Sequence, residues 1–135
     1  MHKDFDRWNK VKKEIEVSSE NKSVLVGEFY WCKIGLNIGS EENGKYPIFN
    51  RPVFIFKKID YYKCAICPLT TSGRKYINKI RLGYINRKKN YLILDQLKII
   101  DTKRIEDRIE IINNNISIKA TKAVLGFLDS FRNTQ

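Results

Sequence analysis

Residues 50–72 read NRPVFIFKKIDYYKCAICPLTTS. Two short runs rich in β-branched and aromatic residues, 52–59 and 62–69, are separated only by Asp60-Tyr61. That pattern predicts two strands joined by a tight connection. Asn50 and Arg51 stand at the mouth of the first strand. The hydroxyl row Thr70, Thr71, Ser72 stands where the second ends, with Gly73 after it.

Working outward, residues 24–34 form another strand-like run. Residues 35–50, with Gly35, Gly39, Gly44 and Pro47, read as a long loop. On the C-terminal side, 71–89 is polar and basic, with a short strand at 76–82. Further strands are expected at 91–100 and 105–112. Asn113, Asn114 and Asn115 are suited to cap a final helix. On that helix Ile116, Ala120, Val124, Phe127, Leu128 and Phe131 make an apolar stripe. At the other end, 4–16 reads as an amphipathic helix with Phe5, Trp8, Val11 and Ile15 at helical spacing, and 18–23 as a polar linker. The class is mainly β (α+β), a small closed or half-closed barrel with a C-terminal helix and an extra N-terminal helix. The expected division is an N-terminal helix and linker over 1–23 and one barrel domain over 24–135.

Length and composition agree with this. A chain of 135 residues is one domain's worth. Hydrophobic content of 42% argues against disorder. No apolar run approaches a membrane span, and the charged N-terminus lacks the apolar core of a secretory signal, so the expected location is the cytoplasm. The 26 Lys and Arg outnumber the 15 Asp and Glu, a formal net charge of +11, which draws polyanions. The odd set Cys32, Cys64 and Cys67 reads as reduced thiols. Cys64 and Cys67 form a CxxC inside a strand. Residues three apart on a strand face opposite sides, so no metal site and no cofactor is expected.

The chemistry open to this chain is narrow. Its one histidine, His2, is terminal, so neither a histidine acid–base pair nor a Ser-His-Asp or Cys-His nucleophile can be built. There is no Walker-type phosphate loop, and no pair of neighbouring carboxylates suggests a two-metal nuclease. What remains is arginine, lysine, hydroxyls, isolated carboxylates and backbone amides. These gather in three segments: the polar loop 37–44, Asn50-Arg51-Pro52-Val53, and Pro68-Leu69-Thr70-Thr71-Ser72-Gly73.

In order along the chain, the segments resemble one family. Gly27-Glu28-Phe29-Tyr30-Trp31 looks like the GxIYW opening of MazF/PemK toxins, and Gly39-Ser40-Glu41 like the GSEQ loop after it. Arg51-Pro52-Val53 matches RPV. Pro68-Leu69-Thr70-Thr71-Ser72 resembles the PLTS strand end. Leu94-Asp95-Gln96-Leu97-Lys98-Ile99-Ile100-Asp101, continued by Thr102-Lys103-Arg104-Ile105, resembles the segment that follows. Together they run from about Val26 to Phe131.

The resemblance implies an SH3-like barrel with a C-terminal helix. It implies a homodimeric, metal-independent endoribonuclease of a type II toxin–antitoxin system. Such an enzyme cuts single-stranded RNA by 2′-OH attack and is blocked by a cognate antitoxin with an acidic disordered segment. The family's catalytic arginine and threonine carry over to Arg51 and Thr70, and Glu41 and Asp95 match its acidic positions. Ser40, Asn50, Thr71, Ser72, Arg74, Lys75 and Gln96 are the implied RNA contacts. Ile93 and Ser40 stand where some relatives carry an arginine and a histidine, which leaves the general base open. Two alternatives stand beside this reading: a gyrase poison like CcdB, which shares the barrel, and a non-catalytic RNA-binding SH3-like module.

Overall fold

In the computed structural model, which describes residues 3–35, 43, 44, 49–74 and 78–133, β2 (Asn50–Lys58) and β3 (Lys63–Thr70) are an antiparallel pair. Val53 lies opposite Pro68 and Ile55 opposite Ile66. Asp60 shapes their connection: its Oδ1 accepts from the amides of Tyr62 and Lys63, each at 2.8 Å. Its carboxylate also pairs with the Lys63 ammonium at 2.9 Å, and that contact is the main cause holding its pKa below the ordinary value.

Both strands are apolar at almost every position because both faces of the pair are covered. Phe54, Cys67 and Leu69 enter one core with Phe29, Leu82, Leu92 and Ile109. Val53, Ile55, Cys64 and Ile66 enter a second with Tyr30, Cys32, Ile100 and Ile105. Cys64 and Cys67 therefore do face opposite sides. Burial pushes all three thiols up, Cys64 to about 11 and Cys32 and Cys67 to about 12.

Strand β1 (Phe29–Lys33) flanks β2, and the sheet continues through β7 (Ile105–Ile109). The strand expected at 24–34 thus begins only at Phe29, because Gly27, at φ +86°, turns the chain first. The strand expected at 105–112 stops at Ile109.

The largest correction falls on 71–100. The expected short strand at 76–82 is β4 (Lys79–Ile85), a full hairpin partner of β5 (Lys88–Ile93). Their turn is Asn86-Arg87, at φ +50° and +63°. Tight hairpin turns want positive φ at both central positions, and Asn-Gly is the usual signal. Arginine in the glycine seat conceals it.

The expected strand 91–100 is broken. Leu94–Gln96 make a single 3-10 turn between β5 and β6 (Lys98–Asp101). Both flanking strands pair with β3: Leu69 meets Leu92, and Ile66 meets Lys98. Between those pairs β3 advances three residues and its partner six, so the extra chain loops out. The order is β4-β5-β3-β2-β1-β7, with β6 on the other half of β3.

Helix α2 (Asn114–Ser130) closes the first core. Asn113 caps it, its Oδ1 accepting from the Asn115 amide at 2.9 Å. Ile116, Ala120 and Val124 are buried and Phe127 packs beside them. Leu128 and Phe131 leave the expected stripe and are exposed. The Ser117 hydroxyl donates to the Gly27 carbonyl at 2.6 Å, tying helix to sheet.

Helix α1 is Phe5–Ser18, capped by Asp4, whose Oδ1 accepts from the Arg7 amide at 2.9 Å. It docks on its own barrel. Trp8 and Ile15 are buried with Phe49, Val11 packs against them, and Phe5 stays exposed. Among the described residues no helix is long and apolar enough to cross a membrane.

Candidate functional site

Arg51 and Thr70 come together. The β2–β3 register, continued two pairs beyond Val53 and Pro68, sets Arg51 beside Thr70 on the same sheet face. Both line one cleft at the strand ends, with Trp31 and Pro52 behind them and Asn86, Lys88 and Asn90 on the hairpin side. Thr71 lines it too.

The guanidinium of Arg51 is held in a fixed plane. Its Nε donates to the Asn43 carbonyl at 2.6 Å and its Nη1 to the Leu69 carbonyl at 3.0 Å. Five N–H groups in a rigid fork allow such anchoring while the group still presents positive charge to the cleft. The Thr70 hydroxyl accepts from the Ser72 amide at 3.1 Å, and the Ser72 hydroxyl accepts from the Arg74 amide at 3.4 Å. These two local turns give the hydroxyl row its shape.

The anchor carbonyl of Arg51 is itself braced. The Gly44 amide donates to the Gly35 carbonyl at 2.7 Å, and the Gly35 amide to the Phe49 carbonyl at 3.2 Å. Trp8 lies flush on this stem: a Cβ built on Gly35 would meet the Trp8 ring at 2.0 Å. Trp8 also packs on Phe49, ring centroids 5.4 Å apart, with the Arg104 guanidinium 5.7 Å from its ring. Only glycine at position 35 permits this approach, and Gly35 also sits at φ +81°.

Other expected site residues are placed less centrally. Asn50 sits at the start of β2 and its Oδ1 accepts from Lys33 at 3.4 Å; Lys33 also pairs with Glu106 at 3.4 Å. Asp95 and Gln96 ride the 3-10 turn, where Asp95 accepts from Asn78 at 3.3 Å. Asp95 does not line the cleft. Among the described residues no carboxylate does. Ser40, Glu41 and Lys75 lie outside the described residues.

Sequence reasoning passed over two cleft groups, Asn90 and Trp31, and took Lys88 only as part of the basic stretch 74–89. Lys88 and Asn90 belong to β5, a strand hidden inside what reads as a basic loop. Asn90 is 3% exposed and its amide N–H groups donate to the carbonyls of Ile85 and Lys88, at 3.3 and 2.9 Å, holding the hairpin turn. Its Oδ1 has no partner among the described residues. Trp31 is legible only within the Tyr-Trp pair of its strand.

The row of side chains does not end at Thr70. Thr70 pairs with Tyr91 on β5, and Tyr91 pairs with Arg81 on β4. The Lys79 ammonium lies 5.3 Å from the Tyr91 ring centroid and donates to the Ser72 carbonyl at 2.9 Å.

The architecture is a small antiparallel barrel closed by a C-terminal helix, with a cleft at the ends of β2 and β3 whose charged lining residues, among those described, are Arg51 and Lys88. Solved structures share it. MazF from Deinococcus radiodurans (Form-I) superposes with a TM-score of 0.62 at 17% identity, over 80% of this chain and 98% of that one. An endoribonuclease from Mycobacterial species gives 0.56 at 15% identity, over 80% and 93%. The MazE-MazF structure (Form-II) from Deinococcus radiodurans gives 0.55 at 18% identity, over 84% and 100%. No family model and no curated relative matches the sequence. The chain has the MazF fold.

Proposed function

We propose that the chain is the toxin of a type II toxin–antitoxin system, an endoribonuclease that cuts single-stranded RNA without a metal. The observation that carries this is the convergence of Arg51 and Thr70, from different strands, on one cleft of a MazF-fold barrel. Arg51 faces the scissile phosphate with its guanidinium, and stabilises the negative charge that builds as the 2′-OH attacks. Its two main-chain bonds preorganise it, so little is reorganised during the reaction. Thr70 donates its hydroxyl to a phosphate oxygen while accepting from the Ser72 amide. The attacking hydroxyl gives its proton to the base and closes onto phosphorus as the P–O5′ bond breaks, and the leaving 5′ oxygen takes up a proton from solvent, leaving a cyclic phosphate and a 5′-OH.

The general base is assigned to the acidic positions Glu41 or Asp95. Asp95 does not line the cleft, which counts against it. Thr71, Ser72 and Arg74, with Ser40, Asn50, Lys75 and Gln96, are assigned to the RNA. The cognate antitoxin supplies an acidic disordered segment that competes for the same basic surface, and the active species is a cytoplasmic homodimer. Incubating long single-stranded RNA with the protein in EDTA and mapping the product ends tests the reaction. Cleavage leaving cyclic phosphate and 5′-OH supports it; cleavage only after a divalent ion is added sinks it.

A further inference from the structure

We propose that Tyr91 and Arg81 form the binding subsite for the nucleotide next to the scissile phosphate, with a base stacked on Tyr91 and its phosphate held by Arg81. The location of the scissile phosphate rests on the nuclease reading above. The subsite itself rests on register. Arg51, Thr70, Tyr91 and Arg81 occupy successive strands β2, β3, β5 and β4. Directly opposed residues of antiparallel strands point to the same face, so the four side chains make one transverse row. Strands are roughly 4.8 Å apart, which sets the Arg81 backbone roughly 10 Å from that of Thr70. One extended nucleotide with its linking phosphate, together with the reach of the Arg81 side chain, bridges that distance.

The chemistry of the row suits a single strand. Every base has a π-face, and an aromatic side chain beside a basic track takes bases with little regard to sequence. Tyr91 is half-buried, and the ammonium over its ring is anchored on the Ser72 carbonyl, so the ring is backed by a fixed cation. Arg81 is exposed, and among the described residues no carboxylate pairs with it. The segment 71–94 contains no acidic residue at all, so the field along the row has one sign. A tyrosine that only stabilised the hairpin would need none of this.

The test uses the full chain and a short 2′-O-methyl oligoribonucleotide, which cannot be cut by 2′-OH attack, carrying 2-aminopurine as a stacking reporter at successive positions. Binding by the wild type should quench the fluorophore at one position. Tyr91→Phe should keep the quenching. Tyr91→Leu should lose it and weaken binding about tenfold, as for one lost base–aromatic stack. Arg81→Gln should keep the quenching and lower the log–log salt slope by about 0.7, the value for one single-strand phosphate contact. If Tyr91→Leu does not fold, the exposed Arg81 position still decides. Wild-type affinity and slope in the folded variants would overturn the subsite, as would failure of the wild type to bind the oligomer. So would an Arg81→Gln defect confined to association between copies of the chain. Bound oligomer with these losses, but no cleavage of ordinary RNA, keeps the subsite and refutes the nuclease. Normal cleavage with unaltered binding in both variants does the reverse.

Discussion

Replacing Trp8 with alanine tests how α1 serves the site. The side chain is 4% exposed and contacts Gly35, Phe49 and Arg104. Buried Trp→Ala substitutions cost about 3–5 kcal/mol. The lower end applies, because the cluster of Trp8, Ile15 and Phe49 is separate from the two barrel cores and the loss can be confined to undocking α1. At roughly 4 °C per kcal/mol for a chain of this size, about 3 kcal/mol lowers the melting temperature by about 12 °C. Activity should fall as well, by a different route. Without Trp8 the stem of Gly35, Gly44 and Phe49 loosens, and the Asn43 carbonyl that fixes the Arg51 guanidinium moves with it. Small misplacements of a catalytic group cost up to about a hundredfold in rate. A fall in kcat of about tenfold is expected, well below the melting temperature, with KM little changed. In an Arg51→Ala background the same substitution should have no further effect on kcat, because the two act through one group. A melting temperature within about 2 °C of wild type, or an equal kcat loss in both backgrounds, would refute the role of Trp8 in bracing the Arg51 anchor. Deleting residues 1–20 should reproduce the wild-type-background result; faster cleavage at an unchanged melting temperature would instead make α1 an inhibitory lid.

Thr70→Val keeps the shape of the side chain and removes its hydrogen bonds, so kcat should fall about tenfold or more in stopped assays on RNA while the fold survives. Neutralising Arg74 and Lys75 should flatten the salt dependence of RNA binding by about 0.7 per lost phosphate contact. The three thiols are held protonated by burial, with values raised from 9.0 to between about 11 and 12. Above pH 9 the unfolded chain gives up protons that the folded chain keeps, so denaturant midpoints should decline steadily from there, and a Cys32→Ala variant should decline less. Light scattering should report a dimer, since Ile118, Leu125, Leu128 and Phe131 of or beside α2 are exposed in the single chain; an active monomer at every concentration would disprove it.

Much of the architecture was written plainly in the residues. The β2–β3 pair announces itself because both faces are buried and its apolar runs are uninterrupted. Asn113 and the 116–124 spacing mark α2 for the same local reasons. Two features were hidden by tertiary causes. The β4–β5 hairpin carries its polar residues outward and turns through Asn86-Arg87 without a glycine, so it reads as a basic loop. The break at Leu94–Gln96 arises from β3 having two partners along one edge, which no local pattern records. The site followed the same division. Arg51 and Thr70 were legible as strand-end residues, and their meeting follows from one register. The roles of Asn43, Asn90, Tyr91 and Arg81 depend on carbonyl positions and cross-strand partners, which appear only in the folded chain.

The central question is whether the Arg51–Thr70 cleft cleaves RNA. The most direct measurement compares wild type with Arg51→Ala on one single-stranded RNA in EDTA, each protein first shown to be folded by its melting curve. The wild type should cut at discrete sites and leave cyclic phosphate ends. Arg51→Ala should cut at least about a hundredfold more slowly at the same sites, the scale for losing one preorganised charge stabiliser. Cleavage by folded Arg51→Ala at the wild-type rate, or none by the wild type, would contradict the assignment.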